Sequence, residues 1–275
     1  MFTQIERAPQ NPVVFIQTEL IPQYMEVLTY VRRPFVLITV CNDDMCVPYM
    51  SDPQPNSQFR RIADQLLNSP NLIKWYTKNP CIRHEKIQPL PLGPKFQYVT
   101  TRFFGEPKRP IMDVLDKYCL EPARRFRSNK PNLLYFHYGN TTAKPFIDEH
   151  TDIRPRVREI LTKTFPENGP KPFAEYMEEM SQYKFCISLP GRGVDTHRCW
   201  EALMMGTVPI MISTALDSLF DKLPVVLLPA DFDWSTLSIE WLEERWIQLR
   251  QRIDYNFTQL YSAYWREHVA KSNNC

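Results

Sequence analysis

The sequence predicts an α/β protein of two successive units, and three observations carry that expectation. Short β-branched apolar runs alternate with stretches of helical spacing. The alternation stops near residues 103 to 130, where a basic, proline-bearing segment intervenes, and then resumes. At 275 residues the chain is long enough for two cores of ordinary domain size.

FVLITVC (35 to 41) is a β-branched apolar run that ends in the polar NDD, so it reads as a buried strand delivering its C-terminal tip to a loop. FRRIADQLLNS (59 to 69) has helical spacing. LIKWYT (72 to 77) and KIQPLPLG (86 to 93) read as further strands, and the prolines place the second at an edge or in an extended segment. FFGEPKRP, a short helix IMDVLDKYCL and the basic EPARRFRSNKP form the expected linker.

The second unit opens with the strand NLLYFHYG (132 to 139), then the helices RPRVREILTKTF (154 to 165) and FAEYMEEMSQ (173 to 182). The strand YKFCISLP (183 to 190) and a helix follow, then the strands VPIMIS (208 to 213) and PVVLL (224 to 228). The close of the chain is helical, with Trp241, Trp246, Leu249, Tyr261 and Trp265 available for burial, and its length suits a helix pair packed across both units. The expected units are 1–125 and 126–275, the last helix returning to the first.

Composition narrows the function. With 43% hydrophobic and 23% charged residues and a formal charge of +2, the chain is too balanced for a general nucleic-acid binder, so any anion recognition must be local. Twenty-five prolines against seven glycines imply many fixed loops and few positions where a positive φ is cheap. Seven cysteines scattered through apolar segments do not form a disulfide framework and point to a reducing compartment. Cys41 and Cys46 lack a second pair at zinc spacing, so no metal is expected. No opening stretch reads as a signal peptide and no run of about 20 apolar residues could span a membrane. A soluble, cytoplasmic protein is the expectation.

The segment with most chemistry is SLPGRGVDTHRCWEAL (188 to 203), a buried strand end, a Pro-Gly turn and a helix starting near Asp195 or Thr196. Ligands of open α/β sheets bind beyond the carboxyl ends of the strands, where helix N-termini carry free N–H groups. Thr196 can cap the helix, Gly191 and Gly193 can bring backbone N–H groups to a phosphate, and Arg198 offers a fork of donors. Glu201, nearly one turn further on, can accept from two vicinal hydroxyls, as on a ribose, and can hold Arg198 in position. The ordinary alternative is a surface Arg198–Glu201 pair with Asp195 and Thr196 merely capping. His137, Tyr138, Gly139 and Asn140 at the tip of the unit's first strand are expected to touch the ligand, and Lys144 to reach a phosphate.

FCISLPGRGVDTHRCWEALMMGTVPIMIS resembles the nucleotide-sugar signature of exostosin-like glycosyltransferases, in which a CL-P-G strand end leads to an R--EA helix and a G-VPV strand. The likeness extends over about 140 residues of the second unit, and the first unit resembles the short soluble members of that family found in large algal viruses and algae. The resemblance implies a GT-B architecture, two Rossmann-like domains facing a central cleft. It also implies inverting transfer from a nucleoside-diphosphate sugar, with UDP-xylose or another UDP-sugar expected, to a hydroxyl of an oligosaccharide or glycoprotein. No cofactor beyond that donor is implied. Arg198 would take the diphosphate and Glu201 the ribose, with Ser188, Gly191 and Thr196 lining the pocket. No N-terminal membrane anchor of the kind usual in the family is expected, and a viral member would work in its host's cytoplasm.

Transfer needs positive charge on the leaving diphosphate, for which Arg192 or His197 can assist Arg198, and a base for the acceptor hydroxyl. Asp43 and Asp44 follow the strand FVLITVC at its tip, and Asp44 is the preferred base, with His84 next. Two other readings compete. Asp231-Phe-Asp233 matches the D-x-D of metal-dependent transferases, though only about 40 residues follow it. A non-catalytic nucleotide- or glycan-binding protein is the other.

Overall fold

In the computed structural model, residues 2–8, 11–40, 46–49, 57–95, 120–139, 153–191 and 193–272 are described. Among them the chain forms two four-stranded, all-parallel sheets and nine α-helices. The first sheet runs in the order β1 (Val13–Gln17), β2 (Phe35–Val40), β3 (Leu72–Thr77), β4 (Ile87–Pro89), and the second in the order β5 (Asn132–Tyr135), β6 (Tyr183–Ile187), β7 (Val208–Ile212), β8 (Val226–Leu228). Parallel pairing places all four C-terminal tips of each sheet on one edge. Strand order follows chain order in both sheets, so among the described residues neither sheet contains the order reversal of a doubly wound fold.

β1 was not anticipated. Five residues with alternating burial, Val14 and Ile16 inward and Val13 and Phe15 outward, form an edge strand whose signal is too short to stand out. The helices α1 (Phe2–Glu6) and α2 (Ile21–Thr29) flank it, and α3 (Gln58–Asn68) crosses from β2 to β3. Ser57 starts α3 by accepting from Arg60 N–H at 3.1 Å. Phe35, Leu37 and Trp75 centre one core, while Phe136, Phe185, Ile210 and Leu242 centre another.

The basic segment expected to be a linker is instead part of the second core. Residues 122–127 form α4 (Pro122–Arg127), whose Phe126 is fully buried with its ring 5.5 Å from those of both Trp246 and Tyr255. One apolar side chain among arginines leaves no periodicity to read, yet it decides where the helix sits. The expected boundary at 125/126 therefore cuts through a helix. Gly206, at φ +68°, lets α4 approach so closely that a Cβ there would lie 2.3 Å from Phe126 N.

Helices α5 (Ile153–Leu161), α6 (Phe173–Met180) and α7 (His197–Met204) connect β5, β6 and β7, and α8 (Ile239–Gln251) and α9 (Ser262–Ser272) close the chain. Ser238 caps α8 through Trp241 N–H at 3.1 Å. Trp246 is buried as expected, whereas Tyr261 is 39% exposed. α9 reaches the first sheet, where the Tyr76 hydroxyl meets Ser272 Oγ at 2.6 Å and the Tyr76 ring lies edge-on to His268. Arg83 also bridges the halves, donating to Asp217 Oδ2 at 2.7 Å. No helix among the described residues is long and apolar enough to cross a membrane.

Candidate functional site

The tips of β5 and β6 and the first turn of α7 come together at one edge of the second sheet. The loop between β6 and α7 is tied within itself. Ser188, buried below the surface, shares a 2.7 Å hydrogen bond with Thr196 Oγ1, and Gly191 N–H donates to Gly193 O at 3.1 Å. Two expectations change here. Thr196 occupies the cap position of α7 but makes no side-chain cap bond, because its hydroxyl is spent on Ser188. The Gly191 N–H, expected to face a phosphate, is spent closing the turn. Arg192, Asn140 and Lys144 lie outside the described residues.

Three guanidiniums converge on the carbonyls of the strand tips. Arg198 donates to His137 O and lies with its Cζ 5.6 Å from the Tyr176 ring centre. Arg154 donates to Pro190 O at 2.9 Å, Leu189 O at 3.0 Å and Gly139 O at 3.2 Å, and Arg158 donates to Tyr138 O. Arg154 and Arg158 both lean over the Tyr138 ring, at 5.8 and 4.9 Å. Burial first, then the neighbouring Arg198, lower the Arg154 guanidinium to about 10, a measure of how much positive charge is confined here. Glu167 answers part of it, accepting from Arg158 Nε at 2.9 Å and facing His137 Nδ1 at 3.5 Å.

Within this cluster Arg198 Nε, His137 Nδ1 and the Tyr138 hydroxyl are buried without a hydrogen-bond partner among the described residues. Such groups each cost about 1–3 kcal/mol when left unsatisfied. Arg154 and Arg158 were not anticipated as site residues. Their i, i+4 spacing, which puts both on one face of α5, was the available signal.

Glu201 favours the charged Arg198 guanidinium from nearby through its carboxylate, but its hydrogen bonds go elsewhere. It is 4% exposed, and its oxygens accept from Lys95 N–H at 3.1 Å and the Tyr176 hydroxyl at 2.9 Å. Residues 92–95, just beyond β4, form a strap across the start of α7. Leu92 N–H donates to Asp195 Oδ2 at 2.8 Å, and Gly93 O meets His197 Nδ1 at 2.7 Å. Asp195 also accepts from Thr196 N–H at 2.8 Å and from Trp200 Nε1, and its burial raises the carboxyl to about 6. The C-terminal edges of the two sheets thus meet at α7.

On the first-half side, Asp43 and Asp44 lie outside the described residues. His84 sits three residues before β4, at the opposite end of that strand from the strap, and its Nδ1 accepts from Lys86 N–H at 3.1 Å. Its neighbour Arg83 donates to Ser213 Oγ, Thr214 O and Asp217 Oδ2, just beyond the C-terminal end of β7. Asp233 caps the 3₁₀ turn Trp234–Thr236, accepting from Ser235 N–H at 3.0 Å and Ser235 Oγ at 2.7 Å. Among the described residues no group of three or more His, Cys, Asp or Glu side chains could hold a metal ion. Compared with known proteins, the chain matches no protein-family model and no curated sequence.

Proposed function

We propose that this chain is an inverting glycosyltransferase of the exostosin-like, GT-B kind, moving a sugar from a UDP-sugar, with UDP-xylose the first choice, to a hydroxyl of a glycan acceptor. The observation that carries the reading is the meeting of two C-terminal sheet edges at α7, with Arg154, Arg158 and Arg198 gathered on the second of them. A departing diphosphate needs fixed positive charge in a site of restricted solvent, and guanidiniums held against strand-tip carbonyls need little reorganisation to supply it. Arg198 is the residue closest in role to the diphosphate clasp, with Arg154 and Arg158 reinforcing it. Glu201 takes the ribose by exchanging the Lys95 N–H for a sugar hydroxyl, which requires the strap to shift. Asp44, beyond the tip of β2, serves as the base that receives the acceptor proton.

A thermal-shift panel of UDP, GDP and their sugars, with and without Mn²⁺, tests this reading through ligand-linked stabilisation. UDP stabilises the protein without metal, Arg198→Ala removes the shift, and Asp44→Asn keeps the shift while abolishing transfer. Stabilisation by UDP that survives Arg198→Ala rejects the placement of the diphosphate, and turnover retained by Asp44→Asn rejects that base.

A further inference from the structure

Between α7 and the first sheet lies a cavity of about 980 Å³, within the roughly 300–1,000 Å³ usual for small-molecule sites. Val40 and Leu90 reach it from the C-terminal edge of the first sheet, His197 and Met204 from α7, and Leu260 and Val269 from the closing segment of the chain. Arg154, Arg158 and Arg198 do not line it. His197 is the first residue of α7, and its Nδ1 lies 2.7 Å from Gly93 O. A carbonyl oxygen can only accept, so Nδ1 carries the hydrogen and the neutral ring keeps a lone pair on Nε2. Among the described residues Nε2 has no hydrogen-bond partner, and His197 is only partly buried in the cavity wall. The strap therefore fixes the tautomer and leaves an acceptor for a group inside the cavity. Gln259 adds a second acceptor to the lining: its Nε2 donates to the Tyr264 hydroxyl at 3.2 Å, and its Oε1 is buried without a partner.

We infer that this cavity binds an apolar alcohol, a molecule whose hydroxyl donates to His197 Nε2 while its hydrocarbon part packs against the walls. Val40, Leu90, Met204, Leu260 and Val269 give that part apolar contacts from three sides. Trp265 also lines the cavity, and its Nε1 is spent on Gln259 O at 2.7 Å, so this indole offers a ligand its ring. The lone pair at Nε2 selects for a donor, and an O–H supplies one without bringing a charge into these surroundings. The unsatisfied Gln259 Oε1 favours a donor-bearing ligand for the same reason, since a buried acceptor left alone costs about 1–3 kcal/mol. This inference goes beyond the transferase reading and stands apart from it. UDP reports on the arginine cluster, whereas the alcohol binds at His197 with no nucleotide present, so either can fail while the other holds.

Isothermal titration of the full chain at about pH 8, above the ordinary imidazole range, with 1-decanol and with decyl methyl ether tests it. The two probes share their hydrocarbon part, and the ether lacks the O–H. Saturable one-to-one binding of decanol is expected, with the ether weaker by on the order of tenfold. His197→Phe keeps a ring of similar size but no lone pair, so it brings decanol down to the level of the ether and leaves the ether unchanged. His197→Gln, whose amide oxygen can stand where Nε2 stood, restores the advantage of decanol. Circular dichroism confirms that each variant is folded, and the comparison of the two probes on the unaltered chain decides the matter if a variant is not. The ether binding as tightly as decanol, an advantage of decanol that persists in folded His197→Phe, or no saturable binding at all overturns the assignment.

Discussion

Replacing Gly206 with alanine tests how closely α4 is held against the turn that follows α7, the helix that carries Arg198. The position has φ +68°, a left-handed conformation that costs a non-glycine residue on the order of 1 kcal/mol. The larger effect is steric. An added Cβ lies 2.3 Å from Phe126 N and 2.4 Å from Arg125 C, both backbone atoms, so no side-chain rotation relieves the overlap. α4 must move away, and with it the Phe126 ring now packed against Trp246, Tyr255 and Phe257. Complete loss of a buried phenylalanine costs about 3–5 kcal/mol; loosening that forfeits about half of this, added to about 1 kcal/mol of backbone strain, gives a total near 3 kcal/mol. In a chain of this size that lowers the melting temperature by on the order of 10 °C. Urea denaturation followed by tryptophan fluorescence measures the change, with Gly169→Ala as the control because a Cβ there meets nothing within 4 Å. A loss below about 1 kcal/mol for Gly206→Ala refutes the reasoning, since the strain alone accounts for that much.

Two further predictions concern the carboxylates. Because burial raises the Asp195 carboxyl to about 6, the folded protein retains its proton over a range where the unfolded chain has released it. Stability from this group is thus fully present below about pH 4 and is lost as the pH rises towards 6, by up to about 3 kcal/mol. Denaturation of wild type and Asp195→Asn across pH 4 to 7 should show the wild type losing ground steadily; parallel curves contradict the assignment. Asp233→Ala, which removes the cap of the Trp234–Thr236 turn, should reduce stability slightly and leave transfer unchanged, with or without EDTA. Loss of transfer in that variant together with EDTA sensitivity favours the metal-dependent D-x-D reading instead.

Most strands and helices were legible because their signals are local. FVLITVC, LIKWYT and VPIMIS are short, mainly apolar runs rich in β-branched or aromatic residues, and the structure places β2, β3 and β7 within them. β1 and α4 were not legible for the same reason in reverse, since five alternating residues and one phenylalanine among arginines say little until neighbours are present. At the site, the segment around Arg198 was recognisable from its turn, helix start and charged residues. The partners were not. Thr196 turned to Ser188, Glu201 to Lys95 and Tyr176, and Asp195 to a strap about a hundred residues earlier in the chain.

By itself the sequence determined the alternation of strands and helices, the α/β class and the stretch where a glycine turn, a helix start and charged side chains collect, because periodicity and turn chemistry act over a few residues. Only the tertiary structure decided that Arg154 and Arg158 join Arg198, that α4 belongs to the second core, and that the strap beyond β4 crosses the start of α7. Those arrangements depend on groups far apart in the chain competing for the same carbonyls and the same buried space, and that competition has no outcome until the two sheet edges meet.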